Sequence, residues 1–305
     1  MNPLKHVFLI VNPVVAIVAY EYVARSEHID PKDVELLFVR GQSYKLFDGF
    51  SSHMITKTVF NRAARRLPFF RSYPESVRAL IESFSVQFIL YASWLDPVAS
   101  EVIQSNNCLT HCYLEEGEQS YKDLAVLPNT KDYRPPFITG SKKYRYDHYW
   151  RDDAQKWIGT QKGVFPSAPN DKILLLEDFS FVKHKYKPSL QHGDVVLLLP
   201  TPGRLPKSEW KNAIRQLRSN SISSQSFLKL HPGYYENPVT LRKIKKILNS
   251  SEFSDVVLLS GEVILEAEML FNKLIIVGDR SSVFLYTIKL GSQFVEVPFI
   301  FGEPY

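Results

Sequence analysis

The clearest indication of the fold is the stretch of residues 226–260, SFLKLHPGYYENPVTLRKIKKILNSSEFSDVVLLS. It opens with the apolar run SFLKL, turns at His231 and Pro232, and continues through an amphipathic segment at residues 240–248. It then closes on a second apolar run, DVVLLS. Two short apolar runs separated by a segment with helical periodicity are typical of parallel strands joined by a crossover helix. The stretch therefore predicts one unit of a parallel α/β sheet.

The same alternation continues on both sides of this unit. The other apolar runs of the second half are KILLLED (172–178), DVVLLLP (194–200), KLIIVG (273–278) and FVEVP (294–298). Those of the first half are HVFLIVN (6–12), VELLFVR (34–40), VQFILYAS (86–93) and THCYLEE (110–116). Further helix-like segments lie at 76–84, 97–104 and 207–218, whereas 127–169 is irregular and rich in Pro, Lys and Tyr. We expect a linker or an acceptor-side insertion in that irregular segment.

Two successive α/β series predict two Rossmann-like domains that face a cleft, which is the plan of GT-B glycosyltransferases. We place the N-terminal domain at residues 1–165 and the C-terminal domain at residues 166–305. A single doubly wound domain with an insertion is the alternative architecture.

Size and charge exclude several classes of protein. The chain has 305 residues, of which 45% are hydrophobic, enough for the cores of two ordinary domains. Its 37 basic and 32 acidic residues give a formal charge of +5. That excess suits an anionic ligand or a lipid surface, but it is too small to indicate a nucleic-acid partner.

Cys108 and Cys112 lack a second cysteine pair, so we expect reduced core thiols and neither a zinc site nor a disulfide framework.

The apolar run of residues 7–23 has some features of a signal peptide. Asn12 and Pro13 interrupt it, and Glu21 precedes its end. It is also shorter than the roughly 20 apolar residues that a membrane-spanning helix needs. We therefore expect a strand, a turn and a buried helix there, with a cleaved signal or membrane anchor as the alternative.

Three short motifs follow predicted strands. They are Glu115-Glu116-Gly117 after THCYL, His231-Pro232 after SFLKL, and Ser281-Ser282 after KLIIVG. In an open α/β sheet the ligand binds at the carboxyl ends of the strands, so these motifs are placed where they can share one ligand. An acid pair, a histidine and an anion cradle are the groups that a group-transfer reaction needs.

Each motif has a chemical interpretation. Adjacent carboxylates such as Glu115 and Glu116 repel each other, which raises one pKa toward the range of a general base. Pro232 disfavours a helical conformation for His231, whose imidazole is then placed to donate a proton to a leaving phosphate. Ser281 and Ser282 open a predicted helix, where free N–H groups and hydroxyls form an anion site. Taken alone, each motif also fits an ordinary loop or helix cap.

Several familiar motifs do not occur in the sequence. We find no GxxxxGK[ST] phosphate loop, no GxGxxG dinucleotide motif and no Gly-x-Ser-x-Gly nucleophile turn. Asp152 and Asp153 lie in a charged, helix-like stretch and lack the DxD spacing after a strand that metal-dependent sugar transferases use. A metal-free transferase is therefore expected over a kinase, a dehydrogenase or a hydrolase.

The three motifs lie in longer segments that occur in a fixed order along the chain: LEEGEQSY (114–121), KLHPGYY (229–235) and DRSSVFLYTIKLG (279–291). Together they resemble the acidic-acidic-Gly, His-Pro and Ser-Ser/Thr motifs of bacterial GT-B sialyltransferases, including lipooligosaccharide sialyltransferases and polysialyltransferases. The resemblance covers about residues 110–290. It implies a CMP-sialic acid donor, inversion at the anomeric carbon, and no cofactor or required metal. The implied acceptor is a surface polysaccharide, lipooligosaccharide or lipid-linked glycan that ends in galactose or sialic acid.

The resemblance implies that the N-terminal domain (1–165) is the acceptor-side domain that carries the base, and that the C-terminal domain (166–305) binds the nucleotide sugar. It also implies roles for individual residues. Glu116 is expected to be the base, with Glu115 supporting it or exchanging roles with it. His231, with Pro232 beside it, is expected to face the donor phosphate as the nucleotide departs. The remaining donor-binding residues are Ser281 and Ser282 for the phosphate or sialyl carboxylate, and Glu266, with Glu262 as the alternative, for the cytidine ribose.

Three hypotheses about function stay open at this point. The first is a cytoplasmic bacterial sialyltransferase. The second keeps the GT-B fold with another nucleotide sugar, and the third is an inactive GT-like scaffold that binds glycan or a partner protein. Three basic segments, at residues 62–71, 183–187 and 242–246, suggest peripheral contact with anionic lipid at the inner face of the membrane. Solvated surfaces are the simpler explanation for these segments.

Overall fold

The computed structural model describes residues 4–39, 43–55, 73–93, 97–122, 153–200, 205–221, 225–235, 238–279 and 281–299. The chain divides into two compact units. Unit 1 comprises Met1–Gly41 and Phe47–Val182, and unit 2 comprises Gln42–Leu46 and Lys183–Tyr305.

Unit 1 is built on a seven-stranded parallel sheet. Its strands are β1 (Lys5–Ile10), β2 (Val34–Phe38), β3 (Ser51–Met54), β4 (Phe88–Ser93), β5 (Cys108–Leu114), β6 (Lys156–Gly159) and β7 (Ile173–Leu175). Its helices are α1 (Pro13–Arg25), α2 (Tyr73–Glu82) and α3 (Pro97–Ile103), and α4 (Ser180–Lys185) continues into unit 2. The strand order β3-β2-β1-β4-β5-β6-β7 reverses direction between β1 and β4. That point is the topological switch point, where ligands bind in doubly wound sheets.

Unit 2 repeats this architecture on a smaller scale. Its strands are β8 (Val195–Leu199), β9 (Ser226–Leu230), β10 (Val256–Leu258), β11 (Ile275–Gly278) and β12 (Gln293–Glu296). Its helices are α5 (Trp210–Ser219), α6 (Pro238–Leu248), α7 (Leu265–Glu268) and α8 (Ser282–Lys289). The strands run parallel in the order β10-β9-β8-β11-β12, so the switch point lies between β8 and β11.

Burial explains why these segments form this sheet. Strand β8 reads VVLLL and is almost wholly buried, because helices cover both faces of a parallel sheet. Helix α5 buries a stripe at helical spacing, made of Trp210, Ala213, Ile214 and Leu217. These residues join one hydrophobic core with β8, β9 and α6. The polar face of α5 stays in solvent.

The run of residues 7–23 forms β1, a turn and the buried helix α1, as predicted. Asn12 caps α1, because its side chain accepts a hydrogen bond from the N–H of Val15, and Pro13 occupies the first turn. Cys112 is buried and Cys108 half-buried, and both are free thiols. Burial raises the pKa of the Cys112 thiol to about 12, which keeps it protonated.

The domain boundary differs from the prediction. The run KILLLED (172–178) is expected to begin the second domain, with the boundary at 165/166. It instead supplies β7, which pairs in parallel with β6 and so belongs to the sheet of unit 1. Strand β6 itself lies in the segment that the sequence predicts to be irregular. The first unit therefore ends at Val182.

No helix in the described part of the chain is long and apolar enough to cross a membrane.

Candidate functional site

Glu115 and Glu116 follow β5 directly, at the carboxyl end of the unit 1 sheet. Gly117 comes next with a φ of 118°, in the left-handed region that favours glycine. It caps the short 3-10 helix Glu118–Tyr121. The two neighbouring carboxylates that precede this turn lie in different surroundings.

Glu115 points into the interior of unit 1 and is fully buried. Its carboxylate accepts hydrogen bonds from the hydroxyl of Tyr121 at 2.7 Å and from the backbone N–H of Thr160 at 2.6 Å. Burial, reinforced by the charge of Glu115, raises the pKa of Tyr121, so that hydroxyl stays a donor. Glu115 therefore links the end of β5 to the loop after β6.

Glu116 is only partly buried, and its surroundings are polar. The hydroxyl of Ser93 donates to its carboxylate. Its backbone is also held, since its N–H donates to the Ser120 hydroxyl at 3.0 Å and its carbonyl accepts from the Asn12 side-chain amide at 3.0 Å. The turn after β5 is thus fixed on both sides of Glu116.

Ser93 and Asn12 are polar residues at this edge to which the sequence analysis assigned no role. Ser93 is the last residue of β4 and is fully buried, and Asn12 follows β1. Strands β1 and β4 flank the switch point of unit 1, and β5 is next to β4. A signal was present, because Asn12 and Ser93 are the final residues of the runs HVFLIVN and VQFILYAS.

His231 lies at the carboxyl end of β9 in unit 2, half-buried, and begins the 3-10 helix Pro232–Tyr234. Its Nδ1 accepts a hydrogen bond from the N–H of Gly233 at 3.1 Å. An Nδ1 that accepts carries no proton, so this bond assigns the proton of the neutral ring to Nε2. The histidine is thereby held as an Nε2–H donor.

The turn after β9 is tied to both neighbouring strands. The hydroxyl of Tyr234 donates to the carbonyl of Pro200, just after β8, at 2.8 Å. The hydroxyl of Tyr235 donates to the carbonyl of Leu259, just after β10, at 3.2 Å. Both tyrosines belong to the KLHPGYY segment. The position of His231 is therefore set by three adjacent strands.

Ser281 is the N-cap of α8, and Ser282 is the first residue of that helix. The Ser281 side chain makes no capping hydrogen bond. Gly278, at the end of β11, packs so close to β8 that a Cβ there would lie 2.8 Å from the Cβ of Leu198. The close approach of β11 to β8 brings the start of α8 to the switch point of unit 2.

The two candidate ribose acids differ in exposure. Glu266 lies in α7 and is 3% exposed, and burial raises the pKa of its carboxyl. Glu262 precedes α7, with a side chain 46% exposed and 3.6 Å from the ammonium of Lys45. Both follow β10, which neighbours β9.

Three sets of predicted residues therefore share one edge of the unit 2 sheet. His231 with Pro232, Ser281 with Ser282, and the two glutamates follow β9, β11 and β10 in turn. All strands of the sheet are parallel, so these ends meet at the same edge, and β9 and β11 are about 10 Å apart across β8. Glu115 and Glu116 occupy the equivalent edge of unit 1.

The other sequence candidates are less informative. Residues 62–71 and Asp152 lie outside the described residues. The lysines and arginine of residues 183–187 and 242–246 are exposed, as solvated surfaces would be. Within the described ranges, no group of three or more His, Cys, Asp or Glu side chains has a metal-binding arrangement.

No protein-family model and no curated protein matches this sequence. Several solved structures match its fold. MnaA of S. aureus, in a co-structure with UDP, has a TM-score of 0.52 at 10% identity, over 96% of this chain and 78% of that one. UGT2 of Phytolacca americana, complexed with UDP-2fluoro-glucose and pterostilbene, has a TM-score of 0.47 at 12% identity, over 97% and 80%. The E. coli heptosyltransferase WaaC with ADP-2-deoxy-2-fluoro heptose has a TM-score of 0.43 at 12% identity, over 98% and 91%.

The likeness to MnaA extends over nearly the whole chain, and it agrees with the two parallel sheets described above. The chain has the two-domain, Rossmann-like α/β fold of the GT-B type.

Proposed function

We propose that this chain is an inverting, metal-independent sialyltransferase that moves sialic acid from CMP-sialic acid to a hydroxyl of a glycan acceptor. The observation that carries the proposal is the placement of three ordered motifs. Glu116, His231 and Ser281 each stand at the carboxyl end of a parallel strand in a GT-B-type fold. Each motif alone is weak, but each lies at the end of a strand where sheets of this kind bind their ligands.

In this proposal Glu116 removes the proton of the acceptor hydroxyl. Its carboxylate is partly accessible and is oriented by the Ser93 hydroxyl, which supports a base held in one geometry. Glu115 is buried and accepts two strong hydrogen bonds, which supports a structural role beside the base. The oxygen of the acceptor attacks the anomeric carbon as the bond to the phosphate breaks.

The leaving group is a nucleoside monophosphate on which negative charge develops. His231 presents Nε2–H as its donor, and the N-terminus of α8 adds the positive end of the helix dipole and the Ser281 hydroxyl. Donors fixed before the reaction stabilise developing charge without reorganising. We assign the ribose to Glu266 or Glu262, and of these Glu262 is the more exposed.

A thermal-shift titration with nucleotides, without added metal, tests the donor. We expect cytidine monophosphate to raise the melting temperature more than cytidine diphosphate, uridine diphosphate, guanosine diphosphate or adenosine monophosphate does. Uridine diphosphate is included among the competing nucleotides because MnaA was solved with UDP. Preference for it would replace the proposal by a GT-B transferase that uses another nucleotide sugar. No response to any nucleotide would favour a glycan-binding scaffold.

A further inference from the structure

A lysine lies in the interior of unit 2, two residues before His231. Lys229 belongs to β9 and is only 8% exposed. A lysine is almost never buried unless its charge is compensated, because transfer of an ammonium from water is costly. Its burial in β9, the strand next to the edge strand β10, therefore needs a structural explanation.

The compensation comes from one turn of the backbone. The Nζ of Lys229 donates to the carbonyls of Ser260 at 3.1 Å, Gly261 at 3.1 Å and Val263 at 2.6 Å. An ammonium has three N–H donors, and this set of three carbonyls matches that number. The lysine thus joins β9 to the turn of residues 260–263 that follows β10.

That turn leads into the candidate donor site. Glu262 is part of it, and α7, which carries Glu266, begins at Leu265. The charges of Glu266 and Glu268 favour the protonated form of Lys229, while burial opposes it. Glu268 is itself held, because its carboxylate accepts from the hydroxyl of Tyr186 and the backbone N–H groups of Ser189 and Leu190. Lys229 and α7 therefore form one charged cluster beneath the turn.

We propose that Lys229 is a positioning residue for the nucleotide donor, and that its ammonium holds the 260–263 turn and α7 in register with His231. This inference rests on the proposed function, because it assigns the nucleotide to this edge of unit 2. The lysine acts through the turn and does not itself touch the donor.

The cluster has a consequence for pH. Burial lowers the pKa of Lys229 to about 8, against the opposing effect of Glu266 and Glu268. A neutral amine has two N–H donors and so leaves one of the three carbonyls unpaired. It also no longer offsets the two carboxylates. Nucleotide affinity should therefore be greatest below pH 8 and fall as the pH rises through that value.

The free energy of unfolding should change with pH in the opposite direction to nucleotide affinity. The two measurements therefore distinguish a role in positioning the donor site from a role in folding. The folded-state pKa of Lys229 lies below its unfolded value of 10.5, so between about pH 8 and 10.5 the unfolded chain binds more protons at this group. The contribution of Lys229 to the free energy of unfolding thus rises with pH in that window. If Lys229 contributed to folding alone, its deprotonation would not weaken nucleotide binding over the same pH range.

The test is calorimetric titration of cytidine monophosphate from pH 6.5 to 9.5 into the wild-type chain, Lys229→Met and Lys273→Met. Methionine keeps the length and volume of the lysine stem without its charge. Lys273 is a matched control, since it is exposed, lies before β11, and donates to the carbonyl of Leu290. Thermal unfolding without nucleotide is measured in parallel at each pH.

We expect wild-type and Lys273→Met affinities to fall by about tenfold between pH 7 and 9.5, and Lys229→Met to bind at least about tenfold more weakly at pH 7 with little pH dependence. Wild-type-like binding by folded Lys229→Met would overturn the positioning role and leave the proposed function intact. If Lys229→Met does not fold, a wild-type affinity that is constant over this range overturns the proposal. If none of the five nucleotides of the thermal-shift titration binds to the wild-type chain, both the positioning role and the proposed function are overturned.

Discussion

The carboxyl edges of the two sheets are constructed differently. In unit 1, side chains from three adjacent strands bond to one turn, as when Asn12 and Ser93 both contact Glu116. In unit 2, the edge comprises the turn after β9, the start of α8 and the 260–263 turn after β10, and the buried ammonium of Lys229 bonds to backbone carbonyls of that last turn. The first arrangement presents an oriented carboxylate, whereas the second presents hydrogen-bond donors. Under the proposed function, the same Rossmann-like architecture would provide the base in unit 1 and the anion-binding groups in unit 2.

The largest expected effect is that of Glu116→Gln, which should affect catalysis but not nucleotide binding. Glu116→Gln should lower kcat for sialyl transfer by about a thousandfold or more, because an amide cannot accept the proton of the acceptor hydroxyl. Cytidine monophosphate affinity should stay within about twofold of wild type. Steady-state kinetics and calorimetry check the two quantities. Glu118→Gln is the matched control, since Glu118 is exposed in the adjacent 3-10 helix. Equal loss of transfer and nucleotide binding would contradict a base in unit 1.

The next effect tests the donor role of His231. His231→Ala and His231→Asn should each lower kcat by about a hundredfold, since both remove the Nε2–H group. Only the alanine variant should lose stability, by about 1 kcal/mol, because asparagine can still accept from the N–H of Gly233. Chemical denaturation measures that difference. Full transfer activity in the asparagine variant would show that capping is the only role of the ring.

Glu115→Gln contrasts the two neighbouring acids directly. We expect a loss of about 1–3 kcal/mol in the free energy of unfolding, because a buried amide cannot accept fully from both Tyr121 and Thr160. Transfer per folded molecule should change by less than about threefold. Urea denaturation and activity at low temperature provide the readouts. A large fall in kcat with unchanged stability would move the base from Glu116 to Glu115.

The smallest effect concerns the start of α8. Ser281→Ala should weaken cytidine monophosphate binding by about three- to tenfold through loss of one hydroxyl donor. The melting temperature should not change, because the Ser281 side chain forms no capping hydrogen bond. Ser219→Ala, in the last turn of α5, is the control for removal of a hydroxyl elsewhere in unit 2. A lower melting temperature with unaltered affinity would identify Ser281 as a simple cap.

Most strands were predictable because their signals are local. The runs HVFLIVN and DVVLLLP are apolar and bounded by turn residues, and they form β1 and β8. Strand β3, SSHM, is largely exposed at an edge of its sheet, so no apolar run marks it. Strand β6, KWIG, is four residues long and lacks alternation. Short strands of this kind are defined by their partners more than by their composition.

The candidate site residues also divide into features that local sequence reveals and features that depend on contacts between distant residues. That acids, a histidine and serines follow strands was visible in the sequence, since a motif and the strand before it are contiguous. The distinct surroundings of Glu115 and Glu116 were not, because their partners Thr160 and Ser93 come from other strands. The threefold contact of Lys229 likewise spans more than 30 residues.

The alternation of strands and helices and the position of each motif after its strand could be predicted from the amino-acid sequence, because hydrophobic periodicity and turn chemistry act over a few residues. Three features became apparent only in the folded chain: which unit contains β7, which of two adjacent carboxylates is buried, and which backbone groups compensate the buried lysine beside the turn after β10. Those outcomes depend on the order of strands in each sheet, which brings together residues far apart along the chain.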